Sequence, residues 1–417
     1  MRILRPFRSR DFAFLWAGTQ VSFLGDGIYL VAIAWEVFQL SNDPAALSIV
    51  GVAWTVPHLA ALLFGGAVSD RFERRRVMLA ANVVSGLTIG AIGVLAVAGA
   101  IRLWEIWALV AVYGVSVAFF VPASSAIVPE IVEADLLVEA NSLQGFVRPL
   151  MLRLLGPAVG GLLVSWAGAG PAFLADAGTF AFAAATLPFI RGRPRERPGE
   201  AAGLGSLLRE VVDGFRYVRS QMWLWVSLAA AGVWLFLTVG PIEVLIPYLV
   251  KNRMEGTARA LGEVFAAGGV GAVVASICIA AYGSLPRRGL VFVYVTWSGS
   301  TFAVAALAIG VHVWQGMLAA VFLFGLSAAG QIVWQTLLQR RVPHELLGRV
   351  SSLDWLSSAA LVPISFALTG PVAGAAGAST TLFTAGVIGG MLMLSCLFVP
   401  ALRAEDAAAP LRSPVSA

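Results

Sequence analysis

The chain has 417 residues, 59% of them hydrophobic and 12% charged, with a net charge of +5 and a mean hydropathy of +0.85. A soluble domain carries about 25% charged residues, so this composition excludes one. The same count leaves little room for several chemistries. Cys278 and Cys396 both lie inside apolar runs, which is no disulfide or metal pattern. Lys251, the only lysine, stands in Val250-Lys251-Asn252 and makes no Walker loop, and His58, His312 and His344 include no His-Glu-x-x-His. No cofactor and no metal are expected.

In chain order, Arg2, Arg5, Arg8 and Arg10 precede an apolar run too long for a signal-peptide core, so 12–40 reads as a first membrane span. Further spans are expected at 44–69, 77–100, 104–128, 139–167 and 171–190. A polar, arginine-rich stretch, 191–220, follows. After it come spans at 221–250, 258–283, 289–311, 313–339, 346–373 and 378–402. Lipid offers no hydrogen-bond partners to the backbone, so each span must be helical. The fold expected is therefore an all-α membrane protein of twelve spans. It divides into an N-terminal six-helix bundle (1–190), a linker (191–220), a C-terminal six-helix bundle (221–402) and a tail (403–417).

Basic residues set the orientation. With the N-terminus in the cytoplasm, 22 of the 28 basic residues fall on the inner side and only Arg102, Lys251, Arg253 and Arg259 on the outer side. Arg148 and Arg153 lie within the fifth span. Both termini are thus expected inside a bacterial-type inner membrane. The positive charge serves topology, and a nucleic-acid partner is not needed to explain it.

The halves carry a weak internal repeat. Asp135 to Leu143 is similar to Glu345 to Leu353, each following a Val-Pro pair, and Gly156-Pro157-Ala158-Val159-Gly160 is similar to Gly370-Pro371-Val372-Ala373-Gly374. The fifth span therefore pairs with the eleventh. Duplicated halves with a site at their interface are typical of secondary transporters.

Two motifs carry a family resemblance. Gly66-Ala67-Val68-Ser69-Asp70-Arg71-Phe72-Glu73-Arg74-Arg75-Arg76 resembles the Gly-x-x-x-Asp-Arg-x-Gly-Arg-Arg signature of the major facilitator superfamily, and Gly156-Pro157-Ala158-Val159-Gly160-Gly161 resembles the core of its antiporter motif. With Ser22 to Asp26 in the first span, the layout is similar to the drug:proton antiporter branch, which includes macrolide and siderophore exporters. Glu73 departs from the usual glycine, and the second copy of the first motif is reduced to Gly283-Ser284-Leu285-Pro286-Arg287-Arg288. The resemblance implies a monomeric secondary exporter that moves small lipophilic or amphiphilic compounds against protons, and no enzyme. A lipid or lysolipid flippase of the same fold is the first rival, and a non-transporting receptor or scaffold is the second.

Ionisable groups deep in a membrane are costly and usually functional. Asp26, flanked by Gly25 and Gly27, lies 14 residues from either end of its span. It is a proton or substrate site, or else a structural hydrogen-bonding group. Arg153, four residues before Pro157, is a candidate partner for it. Glu36, Asp176 and Glu243 are placed in outer halves of spans, where they can line a vestibule, and Asp354 lies about two turns into the eleventh. Gln331 and Gln335, one turn apart, can face a cavity for lipophilic substrates. For gating, the resemblance implies Gly66, Asp70, Arg71 and Arg74, with Asp70 latching onto the start of the eleventh span near 346–350. Gly156, Pro157, Gly160 and Gly161 are expected to give close helix packing between the halves.

Overall fold

A computed structural model describes residues 2–191, 212, 214–282, 286–400, 402–403 and 406, with side-chain surroundings left undescribed at 2, 3, 63, 66, 67, 69, 70, 134, 282 and 344. Among the described residues, twelve helices are long and apolar enough to cross a membrane. They are α1 (Arg10–Leu40), α2 (Pro44–Arg71), α3 (Arg74–Val97), α4 (Leu103–Ile131), α5 (Leu137–Ala167), α6 (Ala169–Thr186), α7 (Met222–Asn252), α8 (Ala258–Tyr282), α9 (Gly289–Ile309), α10 (Val313–Arg341), α11 (Glu345–Ala376) and α12 (Ala378–Ser395). Most of the expected linker and tail lies outside the described residues.

Local chemistry sets the ends. Ser9 Oγ accepts from Phe12 N at 3.3 Å and starts α1, and Asp43 Oδ1 accepts from Ala45 N at 2.9 Å, with Pro44 in the first position of α2. Several helices run past their apolar stretch. α3 begins at Arg74 and α10 ends at Arg341, because an arginine helix former stays helical where its head reaches a polar surface.

Contacts divide the chain into two compact units. One comprises 1–196 together with 247–266, and the other comprises 197–246 together with 267–417. In the first unit α1 packs on α5 and α6, α3 on α4 and α6, and α2 on α4. In the second α9 packs on α10 and α12, and α11 on α12. Lipid is as apolar as leucine, so burial alone does not drive these contacts; close van der Waals packing does. Gly27 and Gly156 show how close. A Cβ on Gly27 would lie 2.7 Å from Gly156 Cα, and one on Gly160 would lie 2.9 Å from Ile28 Cα. Gly374, the counterpart of Gly160 in α11, has open space instead.

The repeated helices share a second feature. α5 is interrupted by a wide π-helical turn at Leu150–Leu155, in which Gly156 N reaches back five residues to Met151 O. α11 breaks at 360–361, before Pro363. Shifted by the repeat spacing of 210 residues, that break falls at the start of the π turn. α5 joins α6 through Gly168 alone, and α11 joins α12 through Gly377 alone. Their φ angles of 90° and 86° are ones only glycine adopts without strain.

Candidate transport site

The centre of the first unit is built around Gly25-Asp26-Gly27. Gly25 faces α6, where a Cβ would run into Thr179 Oγ1 and Asp176 Oδ1, and Gly27 faces α5. Asp26 between them turns toward α4, where Tyr113 Oη donates to its Oδ1 at 2.7 Å. Thus the two glycines let α5 and α6 close on α1, and this brings the carboxylate of Asp176 into electrostatic reach of Asp26. Asp176 is fully buried. Its Oδ1 accepts from Thr179 Oγ1 at 3.2 Å, and its Oδ2 is buried without a hydrogen-bond partner. Tyr29 and Tyr113 stand 5.4 Å apart between ring centres, with Phe173 and Phe180 behind them. Two carboxylates, two phenols and an aromatic wall form one cluster.

Asp176, expected in an outer half with Glu36, is thus brought together with Asp26. Glu36 is nine-tenths buried further along α1, and Glu243 is half-buried in α7. The arginine within electrostatic reach of Asp26 is Arg148, which also lies within reach of Arg153 and rests over the Phe23 ring at 4.8 Å. Arg148 and Arg153 are five residues apart, roughly 140° around an α-helix. The wide turn between them narrows that angle.

At the N-terminal end of the bundle the motif residues form a second cluster. Arg71 ends α2 and is exposed. Arg74 begins α3, nearly buried, and its Nη1 pairs with Glu130 Oε1 on α4 at 2.7 Å. Glu73 supplies the turn that the family pattern builds with glycine. It adopts φ −61°, an ordinary value, and its carboxylate pairs with Arg75 at 2.9 Å and Arg76 at 2.7 Å. Arg75 Nη1 also donates to Ile190 O at 2.9 Å. The side-chain surroundings at Gly66 and Asp70, and with them the latch expected at Asp70, lie outside the described residues. Gly156, Gly160 and Pro157 pack on α1, and Gly161 packs on the start of α8, where a Cβ would lie 2.9 Å from Gly262 Cα.

The second unit has a different interior. Trp234 stacks on Trp297 at 5.6 Å, Trp297 meets Trp334 at 6.1 Å, and Trp334 meets Trp223 at 6.2 Å. Trp234 Nε1 donates to Thr301 Oγ1 at 2.6 Å, and Trp334 Nε1 donates to Asp354 Oδ1 at 3.2 Å. Gln335 also hydrogen-bonds Asp354, which brings two of the expected residues together; Gln331 is exposed. His58, in the first unit, is a packing residue: it stacks on Trp54 at 4.7 Å, and its Nδ1 lies 3.0 Å from Gly114 O. Sequence reasoning did not select Tyr29, Tyr113, Arg148 or Thr179. The available signal was polarity inside an apolar run, which does not say which neighbour a side chain meets.

Comparisons with known proteins agree with this architecture. The chain matches the transmembrane secretion effector family over residues 2–415. It is 29% identical over 410 residues to the multidrug efflux pump Tap of Mycolicibacterium fortuitum, covering 95% of this chain and 96% of that protein. It is 26% identical over 385 residues to the enterobactin exporter EntS of Escherichia coli, covering 88% of each. Among solved structures it is similar in fold, at 12% identity, to a POT family transporter bound to 5-aminolevulinic acid, with TM-score 0.74 over 94% of this chain and 97% of that one. It is likewise similar to the nucleoside transporter NupG, with TM-score 0.67 over 94% and 98%. Twelve apolar helices, repeated halves and a family match across almost the whole length make this a multi-pass membrane transporter, and the chain belongs to the transmembrane secretion effector family of the major facilitator superfamily.

Proposed function

We propose that this transporter exports small lipophilic or amphiphilic compounds in exchange for protons, working by alternating access as a monomer in a bacterial-type inner membrane with both termini in the cytoplasm. The N-terminal bundle at 1–190 and the C-terminal bundle at 221–402, joined by a linker at 191–220, are the moving halves in this reading. The relatives Tap and EntS are named as an efflux pump and an exporter, which supports outward direction. The basic-residue bias supports the orientation.

The observation that carries proton coupling is the Asp26–Asp176 pair. A charged carboxylate in a closed apolar interior costs several kcal/mol unless it is paired or protonated. Here two carboxylates lie within electrostatic reach of each other, with Tyr113 and Thr179 as donors and Arg148 as the nearby cation. A proton taken from the outer side lets the pair pass through a closed state with less charge. Release of that proton to cytoplasmic water restores the charge and frees Asp26 for Arg148 or for a donor group on cargo. Aromatic side chains around the cluster offer a surface for apolar cargo.

The test is reconstitution into liposomes with an imposed pH gradient and a panel of lipophilic compounds. Export accelerated by the gradient, with substrate-induced proton release in detergent, supports the reading. Lipid translocation that ignores the gradient moves the function to the flippase rival.

A further inference from the structure

The second unit does not contain all of α7 and α8. Residues 247–266, the far end of α7 and the first part of α8, belong to the first unit, while both helices continue into the second. What holds them there is specific. Lys251 Nζ donates to Phe38 O, in the last turn of α1, where a helix carbonyl has no partner of its own and the helix dipole favours a cation. The same ammonium lies 5.7 Å from the centre of the Trp35 ring. Next to it, Asn42 Nδ2 donates to Asn252 Oδ1 at 2.7 Å, and Asn252 Nδ2 returns a bond to Asn42 Oδ1 at 3.2 Å. Phe38 and Tyr248 meet edge to face at 5.6 Å. Arg259 N donates to Ser165 Oγ at 2.9 Å, beside the backbone approach of Gly161 to Gly262.

These contacts differ from ordinary packing in two respects. They are polar, directional and gathered at the end of α1 away from the N-terminus. They also join two equivalent points of the halves, since Asn42 and Asn252 are 210 residues apart, the spacing of the repeat. We propose that Lys251 and the Asn42–Asn252 pair form an outer clasp. It shuts the Asp26–Asp176 pair off from the external face and must open for cargo to leave. The inference rests on the export reading above. Lys251 is the pin of the clasp, and its ammonium is engaged by Phe38 O and the Trp35 ring while the clasp is shut.

Because Lys251 is the only lysine, the clasp reports on itself. A membrane-impermeant amine-acylating ester applied to right-side-out vesicles can modify, within this chain, only Lys251 and the N-terminal amine, which peptide mass spectrometry separates. The wild type is expected to react slowly. Asn42→Ala combined with Asn252→Ala is expected to react roughly tenfold faster, the shift set by losing a pair of hydrogen bonds. Equal rates in the two proteins, or modification only from the cytoplasmic side, overturn the clasp. A second arm uses Asn42→Cys with Asn252→Cys in a Cys278→Ser, Cys396→Ser background. Oxidation should stop export and reductant should restore it, whereas export through the oxidised protein overturns the requirement to open. Should the wild type move no compound under any gradient, the export reading fails, and the acylation arm alone still decides whether the clasp exists.

Discussion

At the middle of α1 the first unit presents Gly25-Asp26-Gly27, and at the matching place in α7 the second presents Leu235-Phe236-Leu237. The consequences run through each bundle. In the first, the glycines draw in α5 and α6, and a carboxylate pair forms between α1 and α6. In the second, Trp234 fills the space beside Thr301 and starts a chain of four indoles. One scaffold thus supports a charged interior in one copy and an aromatic interior in the other. A duplicated fold fixes where helices meet, and a few residues at each meeting point decide what chemistry is possible there.

The sharpest test of this contrast is loss of coupling. Asp26→Asn keeps the shape and the Tyr113 contact but cannot release a proton, so pH-driven export in liposomes should fall to background while cargo still binds. Trp234→Phe, in the aromatic interior, should alter apparent affinity for cargo and leave the response to the gradient in place. Equal loss of the response in both variants would break the comparison.

The next effect concerns the helix starts. α3 is preceded by Glu73, half-exposed and paired with Arg75 and Arg76. α9 begins with no acidic residue of its own in its first turn. It takes Asp406 from the tail, whose carboxylate accepts from Leu290 N at 3.0 Å and Val291 N at 3.2 Å and pairs with Arg341 at 3.1 Å, 1% exposed. Breaking a buried pair of this kind costs about 3–5 kcal/mol. Asp406→Ala should therefore lower the melting temperature and speed hydrogen exchange at the Leu290 and Val291 amides. Glu73→Ala loses exposed pairs worth about 0–1 kcal/mol and should change melting little.

A smaller effect separates α5 from α11. Gly156→Ala forces a Cβ to within 2.6 Å of Gly27 Cα, an overpacking cost of about 1–3 kcal/mol, whereas Gly374→Ala meets nothing. Thermal melting in detergent should show a clear fall for the first and none for the second. Smallest of all, Trp334→Phe keeps the ring stack and removes the bond to Asp354. It should cost about 1 kcal/mol, read from the same melting curves.

Much of this molecule is legible in its sequence. Long apolar runs place the spans within a few residues, because crossing lipid demands a minimum length and a helix. Arginine-rich ends blur the boundaries at α3 and α10, where hydropathy stops before the helix does. Asp26 stands out as a charge in an apolar run. Its neighbours do not, because Asp176 is 150 residues away and reaches it only through the packing that Gly25 permits. The choice between Arg148 and Arg153 is hidden for another reason. Helical periodicity assumes 3.6 residues per turn, and the π turn at Leu150–Leu155 breaks that register.

The one-residue connector at Gly168 leaves no slack between α5 and α6. A bend at the π turn, Leu150–Leu155, would carry the second half of α5 and, through that connector, α6 together, like the arm of a crank. Asp176 rides on that arm, and Asp26 stays with α1. Flexing in the wide turn would thus change the separation of the two carboxylates, so a distortion of backbone hydrogen bonding in one helix would be geared to the charge held in another.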